Sequence, residues 1–198
     1  MLRAVKDCCF VDFTRLNLPL GTAEIIALLQ QKGFGVIDVD VVAEARAVVG
    51  RAKFRLGVRM SETPGEFDCS SFTKWAYGHK GVWLPRFAVQ QFECGQAVAL
   101  EELSPGDLIF TSGYCARAWS VGHVSLFTGS SVITAMIREK YSGVVEIPLE
   151  TLLKERKLRG VRRVVFPSET ARTIVVPARY EIETSDDVKY FVLSLIQN

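Results

Sequence analysis

Cys69 is the residue of this 198-residue chain whose type and position best fit nucleophilic chemistry. It follows Asp68 in FDCSSFTKWAYGHKG, where apolar residues at helical spacing predict a helix beginning at Asp68 or Cys69. A thiol at a helix N-terminus faces unpaired backbone N–H groups and the positive end of the helix dipole, and both favour the nucleophilic thiolate. The same N–H groups can receive the oxyanion of a tetrahedral intermediate. Taken alone, a free cysteine is more often a small buried side chain, so a base has to be found.

The chain offers two histidines as that base. His79 lies at the far end of the same predicted helix, about 15 Å from Cys69 at 1.5 Å of rise per residue. We expect it to be an exposed residue near the helix C-terminus. His123 begins a predicted strand in SVGHVSLFTG, which the fold can bring back to the helix start. His123 is therefore the candidate base for Cys69, although a histidine in this position is usually structural and the pairing taken alone is weak.

The elements around these residues come in two blocks. Short helices are predicted in the first half of the chain, at 22–32 with Thr22 as N-cap, at 41–49, from Cys69, and in PRFAVQQFECG. Strands are predicted at 107–111, 123–128, 132–137, 144–147 and 161–166. Helices followed by strands indicate an α+β domain with a mainly antiparallel sheet. We assign 41–166 to this domain, 1–40 to an N-terminal extension with a short helix, and 167–198 to a C-terminal strand and amphipathic tail.

Charge and hydropathy exclude several classes of partner. With 24 basic and 22 acidic residues, the net charge of +2 gives no argument for nucleic acid or an anionic membrane. The basic run RGVRR at 159–163 is best explained as a solvated strand edge. No apolar stretch approaches the roughly 20 residues that span a bilayer.

Four sequence blocks together resemble the NlpC-type family of papain-like cysteine peptidases. They are DCSSF, WLPRFAVQQ, LSPGDLIF and GHVSLFTGSSVITA, and they follow one another in the family's order within residues 41–166. The resemblance implies a papain-like fold, with Cys69 at a helix N-terminus and His123 on the facing sheet. It also implies attack on an amide, a thioester intermediate and release by water. Family members mostly cleave peptides of the bacterial cell wall, often next to D-amino acids.

Three positions depart from the family pattern. The polar residue that orients the base, usually histidine, is matched by Thr134, whose hydroxyl can accept a hydrogen bond from the imidazole but carries no charge. Phe54 stands where the family has a tyrosine. Ser71 stands where a glycine normally follows the D-C-S motif. We accordingly predict Cys69, His123 and Thr134 as the catalytic residues.

The substrate contacts are predicted more broadly. Phe54 and Ser70 flank the predicted cleft, and Arg117 and Trp119 lie in an insertion between two strands. Arg117 can pair with a substrate carboxylate, and an ordinary exposed arginine explains it equally well. Asp68 is expected to cap the helix, and Asp107 to support the start of a strand. The expected partner is a peptide or small amide, including cell-wall fragments, and this chemistry needs no metal or organic cofactor. The alternatives are an amidase or acyltransferase on another small amide, and a catalytically silent binding module.

The cysteines bear on the compartment. Five cysteines without C-x-x-C spacing favour free thiols over a disulfide scaffold or a zinc site. The N-terminus shows no secretory leader, because Asp7 and Asp12 interrupt its apolar residues. A reducing, cytoplasmic location is therefore expected by default, with export by another route as the alternative.

Overall fold

The computed structural model describes residues 7–113, 120–138, 141–165 and 168–197. The chain divides into two compact units. One consists of Met1–Asp40, Tyr77–Trp83 and Pro167–Asn198, and the other of Val41–Ala76 and Leu84–Phe166. The predicted catalytic residues all fall in the second unit.

The described helices and strands alternate irregularly along the chain. The α-helices are α1 (Thr22–Gln31), α2 (Val41–Ala47), α3 (Cys69–His79), α4 (Ala88–Gln91), α5 (Leu149–Glu155) and α6 (Ser185–Ile196). The strands are β1 (Cys8–Asp12), β2 (Gly35–Ile37), β3 (Lys53–Phe54), β4 (Glu66–Phe67), β5 (Gln96–Val98), β6 (Leu108–Thr111), β7 (His123–Phe127), β8 (Ser131–Arg138), β9 (Tyr141–Pro148), β10 (Leu158–Arg163) and β11 (Ala171–Val175). The expected α+β class with an antiparallel sheet is confirmed. The sequence had not indicated β1, β2, β3, β4, β5 or α5.

A six-stranded sheet in the order β5-β10-β6-β7-β8-β9 forms the centre of the second unit, and every pairing in it is antiparallel. The expectation that RGVRR forms a solvated edge is wrong, because β10 lies between β5 and β6. Its arginines are used inside the unit. Arg163 donates to both carboxylate oxygens of Asp107, at 2.8 and 2.7 Å, and Arg162 lies over the Phe92 ring, 4.0 Å from its centroid. The buried Asp107 thus supports the start of β6, as expected.

One glycine is required where β9 meets the segment before β3. Gly143 has a φ of +113°, and a Cβ there would lie 2.3 Å from the carbonyl oxygen of Ala52. A side chain is therefore excluded on both conformational and steric grounds. Two backbone hydrogen bonds of Val144 secure the close approach. The carbonyl of Val144 accepts from the N–H of Gly50, and the N–H of Val144 donates to the carbonyl of Ala52.

Helix α3 carries Cys69 at its first position because its apolar stripe is buried. Phe72 and Ala76 are fully buried, and the Phe72 ring meets the edge of Phe67 at 5.7 Å between centroids. Phe67 is the last residue of β4, which pairs with β3 in parallel. Burial of this stripe fixes the rotation of the helix, and hence the direction in which its first turn faces.

The first unit has its own sheet, in the order β1-β11-β2, and its own apolar core with α1 and α6. The cap of α1 differs from the expectation. The helix begins at Thr22, and Gly21 precedes it, its N–H donating to Glu24 Oε2 at 2.7 Å. Thr184 caps α6 by accepting from the N–H of Asp187. None of the helices in the described part of the chain is long and apolar enough to cross a bilayer.

Candidate active site

The start of α3 is closed by a reciprocal cap. Asp68 Oδ1 accepts from the N–H of Ser71 at 2.8 Å, and the N–H of Asp68 donates back to Ser71 Oγ at 2.9 Å. The prediction that Asp68 caps the helix is confirmed, and Ser71 belongs to the first turn of the helix. Cys69 consequently occupies the first helical position, where its own backbone N–H has no partner within the helix.

Arg86 fixes this cap from the side. Its guanidinium donates to both oxygens of Asp68, with Nη1 3.0 Å from Oδ1, and Nη2 also donates to the carbonyl of Val58 at 2.8 Å. Gly57 N–H donates to Asp68 Oδ2 at 3.0 Å. Burial by itself would raise the pKa of Asp68, but the hydrogen bonds and charge of Arg86 and the N–H of Ser71 hold it below its ordinary value. The carboxylate is therefore ionised, and it ties loop 57–58 to the helix start.

Ser70 belongs to the same network. Its hydroxyl donates to Asp68 Oδ1 at 3.3 Å and accepts from Arg86 Nη1 at 3.1 Å. Its carbonyl accepts from the fully buried Gln91 at 2.9 Å, and Gln91 in turn accepts from the hydroxyl of Thr73 at 2.7 Å. The side chain of Ser70 is thus buried and engaged within the protein, and its role in binding substrate stays a prediction.

The base side is built from the strands. His123 is the first residue of β7 and only 5% exposed, and its Nε2 lies 3.0 Å from Thr134 Oγ1 on β8. The hydroxyl of Thr134 also donates to the carbonyl of Val124 at 2.9 Å. Because that carbonyl can only accept, the proton of Thr134 is committed to it, and the contact with His123 requires an N–H donor on Nε2. The neutral imidazole is then the Nε2–H tautomer, and Nδ1 holds the free lone pair that a general base needs.

The two sides meet at Val124. Val124 follows His123 in β7, and its backbone N–H, like that of Ser70, interacts with the Cys69 thiol. Burial raises the pKa of the Cys69 thiol, and the nearby Asp68 adds to the rise, while these N–H groups and Arg156 act against it. Burial likewise lowers the pKa of His123, from 6.5 to about 3, and Arg156 contributes in the same direction. The helix terminus alone suggested a thiolate, but desolvation outweighs it, so the resting pair is a neutral thiol beside a neutral imidazole.

The other predicted residues lie in different places. Phe54 is half-buried and pairs with Phe67, two positions before Cys69, while Arg117 and Trp119 lie outside the described residues. His79 is the exposed last residue of α3, as expected, and the length of the helix keeps it away from Cys69. Within the described residues, Cys8, Cys9, Cys69 and Cys94 are free thiols, and no group of three or more His, Cys, Asp or Glu side chains could hold a metal.

Sequence reasoning missed three residues of this site. Arg86 and Gln91 both belong to the WLPRFAVQQ block, so their position in a recurring motif was a usable signal. Arg156 gave no such signal, because it stands in the charged stretch KERK, which has the composition of an exposed helix end. In the structure Arg156 is only 6% exposed.

Comparison with known proteins places the chain in a family. The model of the NlpC/P60 family matches residues 50–163, which is more than half of the chain. A gamma-DL-glutamyl hydrolase of Bacillus subtilis is 32% identical over 129 residues, covering 64% of this chain and 29% of that protein. The peptidoglycan DL-endopeptidase CwlO of Bacillus licheniformis is 33% identical over 94 residues, covering 45% and 20%. The matched region thus spans less than a third of either relative.

Solved structures give the same result for the fold. An NlpC/P60 family protein from Bacillus cereus superimposes with a TM-score of 0.51 at 29% identity, covering 64% of this chain and 40% of that one. NlpC1 from Trichomonas vaginalis superimposes with a TM-score of 0.57 at 23% identity, covering 64% and 44%. The papain-like architecture is therefore confirmed, and the chain belongs to the NlpC/P60 family.

Proposed function

We propose that this chain is a thiol-dependent hydrolase that cleaves an amide bond through a thioester acyl-enzyme. The observation that carries the proposal is that Thr134 contacts both His123 Nε2 and the Val124 carbonyl, while the N–H of Val124 acts on the Cys69 thiol at the start of α3. The relatives named as a hydrolase and an endopeptidase support the same reaction class.

Acylation follows from the charge state of this pair. As the sulfur of Cys69 attacks the carbonyl carbon, its proton passes to Nδ1 of His123, and the carbonyl oxygen becomes an oxyanion. The N–H of Cys69, which has no partner within the helix at its first position, is the donor we assign to that oxyanion. The C–N bond then breaks, the imidazolium gives its proton to the leaving amine, and a thioester remains. Because the resting pair is neutral, His123 acts as a general base in this step.

Deacylation repeats the sequence with water. His123 takes a proton from the water molecule as its oxygen attacks the thioester carbonyl, and the tetrahedral intermediate expels the thiolate of Cys69. The proton held by His123 returns to sulfur, which regenerates the neutral pair. Thr134 accepts from Nε2–H throughout and keeps the ring oriented.

For the substrate we propose a peptide of the cell-wall type with a γ-glutamyl bond between a D- and an L-residue. This substrate class comes from the names of the two curated relatives, gamma-DL-glutamyl hydrolase and peptidoglycan DL-endopeptidase. Another small amide, cleaved or transferred by the same thioester chemistry, is the alternative within this reaction class.

The test compares a γ-D-glutamyl-L-lysine peptide with its α-linked L,L isomer, with products identified by mass spectrometry. We expect cleavage of the first peptide by the wild type, and no cleavage by Cys69→Ala or His123→Ala. His79→Ala is the matched histidine control and should retain activity, because His79 lies exposed at the far end of α3. Turnover that survives Cys69→Ala would overturn the proposed chemistry. Cleavage of only the L,L isomer would overturn the substrate class.

The rival function is a binding module that has lost turnover. The raised pKa of the Cys69 thiol and the uncharged Thr134 beside the base are the observations that favour it. A thioester trapped on Cys69 after a rapid acid quench would exclude this rival, because a silent module forms no acyl-enzyme.

A further inference from the structure

Arg156 is a buried guanidinium that the proposed reaction does not use directly. It lies between the end of α5 and the start of β10, and its Nη1 donates to the carbonyl of Ser112 at 3.0 Å. Ser112 also binds the backbone of the residue that follows Arg156. Ser112 N–H donates to the carbonyl of Lys157 at 2.9 Å, and Lys157 N–H donates to Ser112 Oγ at 3.2 Å. Arg156 therefore has a fixed position rather than the freedom of a surface side chain.

The register of the sheet brings this position to the base. Thr111 pairs with His123 on one side and with Leu158 on the other, so β10, β6 and β7 are aligned at one end of the sheet. Ser112 follows Thr111 directly, and Arg156 precedes Leu158 by two residues. The guanidinium accordingly lies at the same end of the sheet as His123.

The charge of Arg156 reaches both members of the pair. It opposes the rise in the pKa of the Cys69 thiol, and it adds to the fall in the pKa of His123. Two other charged groups, one beside Cys69 and one acting on Arg156, form ion pairs. Asp68, beside Cys69, is bound to Arg86, and Arg138 forms an ion pair with Glu155.

We infer that Arg156 is an electrostatic positioning residue of the catalytic pair, whose fixed positive charge favours loss of a proton from both Cys69 and His123. The charge assists formation of the Cys69 thiolate, but it opposes protonation of His123 and does not replace the imidazolium stabilisation that a neutral Thr134 lacks. Its importance for turnover rests on the proposed function, whereas its effect on the thiol does not.

If Arg156 acts through its charge, its removal should lower the thiolate fraction of Cys69. If it acts only through packing, its removal should raise that fraction. Removing the positive charge while the site stays closed makes the Cys69 thiolate rarer. Opening the site to water would instead relieve desolvation and make the thiolate more common. The rate of Cys69 alkylation by iodoacetamide at about pH 8 measures the thiolate fraction directly, and the reagent is uncharged. Peptide mass spectrometry separates Cys69 from the other cysteines, and Cys94 serves as the internal reference.

The variants are Arg156→Gln and Arg156→Met, which are neutral and of similar length, and Arg156→Lys, which keeps the charge. Lys157→Gln is the matched control, since it removes the same charge at the next position from an exposed side chain. We expect both neutral variants to alkylate Cys69 about tenfold more slowly than the wild type, the scale of one charge close to a thiol. Arg156→Lys and Lys157→Gln should remain within about twofold of the wild type.

Unchanged or faster alkylation in a folded neutral variant would overturn the inference. So would an equal slowing in Lys157→Gln, which would indicate a general field of the protein surface. If neither neutral variant folds, Arg156 is a requirement for folding rather than a device that tunes the pair, and the inference also fails. Since alkylation needs no turnover, these outcomes are independent of whether the proposed hydrolysis is found. Where hydrolysis is present, both limbs of the kcat/KM profile should move to higher pH in Arg156→Gln.

Discussion

The helix start that carries Cys69 and the strand ends that carry His123 are held by different kinds of contact. Around Cys69, the network of Asp68, Ser70, Arg86 and Gln91 satisfies its polar groups within residues 57–91. Around His123, Thr134 contacts both the ring and the Val124 carbonyl, and Arg156, distant in sequence, acts through its charge. Two further buried hydroxyls on these strands, Thr111 Oγ1 and Ser125 Oγ, have no hydrogen-bond partner among the described residues.

The two sets of contacts serve different purposes. The network around the nucleophile fixes geometry, because a capped and ion-paired helix start cannot rotate without leaving a buried carboxylate unpaired. The strand side sets proton affinity, because a buried imidazole with a neutral acceptor and a nearby cation resists protonation. Each side can be perturbed separately, and the expected effects differ in size and in sign.

The largest effect is expected on the strand side, from acid. An unfolded chain protonates His123 near 6.5, whereas the folded protein does so only near a pKa of about 3. Between these values the unfolded state binds more protons, so stability falls as pH falls through this window and stays lower below it. The full contribution is roughly 5 kcal/mol. When the free energy of unfolding, measured in urea, is plotted against pH for the wild type and His123→Gln, the two curves should converge toward acid. Parallel curves would contradict the buried neutral imidazole.

The next largest effect is expected on the nucleophile side, from Arg86→Met. The substitution leaves the carboxylate of Asp68 buried without its cation, which typically costs about 3–5 kcal/mol. Urea unfolding at neutral pH measures this loss. Arg55→Met is the matched control, because Arg55 pairs with Glu62 and Glu66 at the solvent-accessible surface, where screening makes the ion pairs weak. Equal losses in the two variants would mean that the buried pair does not hold the helix start.

The same contrast explains which parts of the site the sequence could predict. The nucleophile side depends on neighbours within one stretch of chain, so the DCSSF and WLPRFAVQQ blocks already contain its partners. His123 and Thr134 were also predicted, because both fall in the single block GHVSLFTGSSVITA. Arg156 was not predicted, because it reaches the pair only through the pairing of β10 with β6, and sequence spacing carries no information about that register.

The strands that were missed have a similar explanation. β2 and β5 contain three residues each, and β3 and β4 contain two each, which is too short for alternation of apolar and polar residues to be recognised. β10 was predicted as a strand, but its arginines suggested an edge. The order of strands in a sheet decides that question, and Asp107 and the Phe92 ring make an internal position possible for Arg163 and Arg162.

A smaller effect is expected where the two sides meet, from Thr134→Val. The change keeps the shape of the side chain and removes the hydrogen bonds to His123 Nε2 and the Val124 carbonyl. With the tautomer no longer fixed, the hydrolytic rate should fall by about 10- to 100-fold. Turnover of the γ-D-glutamyl peptide measures it, and Thr134→Ser, which keeps the hydroxyl, should recover most of the rate. A wild-type rate in Thr134→Val would mean that another group orients His123.

The smallest effect, and one of opposite sign, is expected at Thr111. Its hydroxyl is fully buried beside His123 in the sheet and has no partner among the described residues. An unsatisfied buried hydroxyl costs stability, so Thr111→Val should raise the free energy of unfolding by about 1 kcal/mol. Thr134→Val, which removes a hydroxyl with two partners, should instead lower it by a similar amount. Urea unfolding of both variants under the same conditions gives the comparison. A loss of stability in Thr111→Val would show that this hydroxyl is satisfied, and the contrast between paired polar side chains around Cys69 and incompletely paired ones on the strands would then have to be withdrawn.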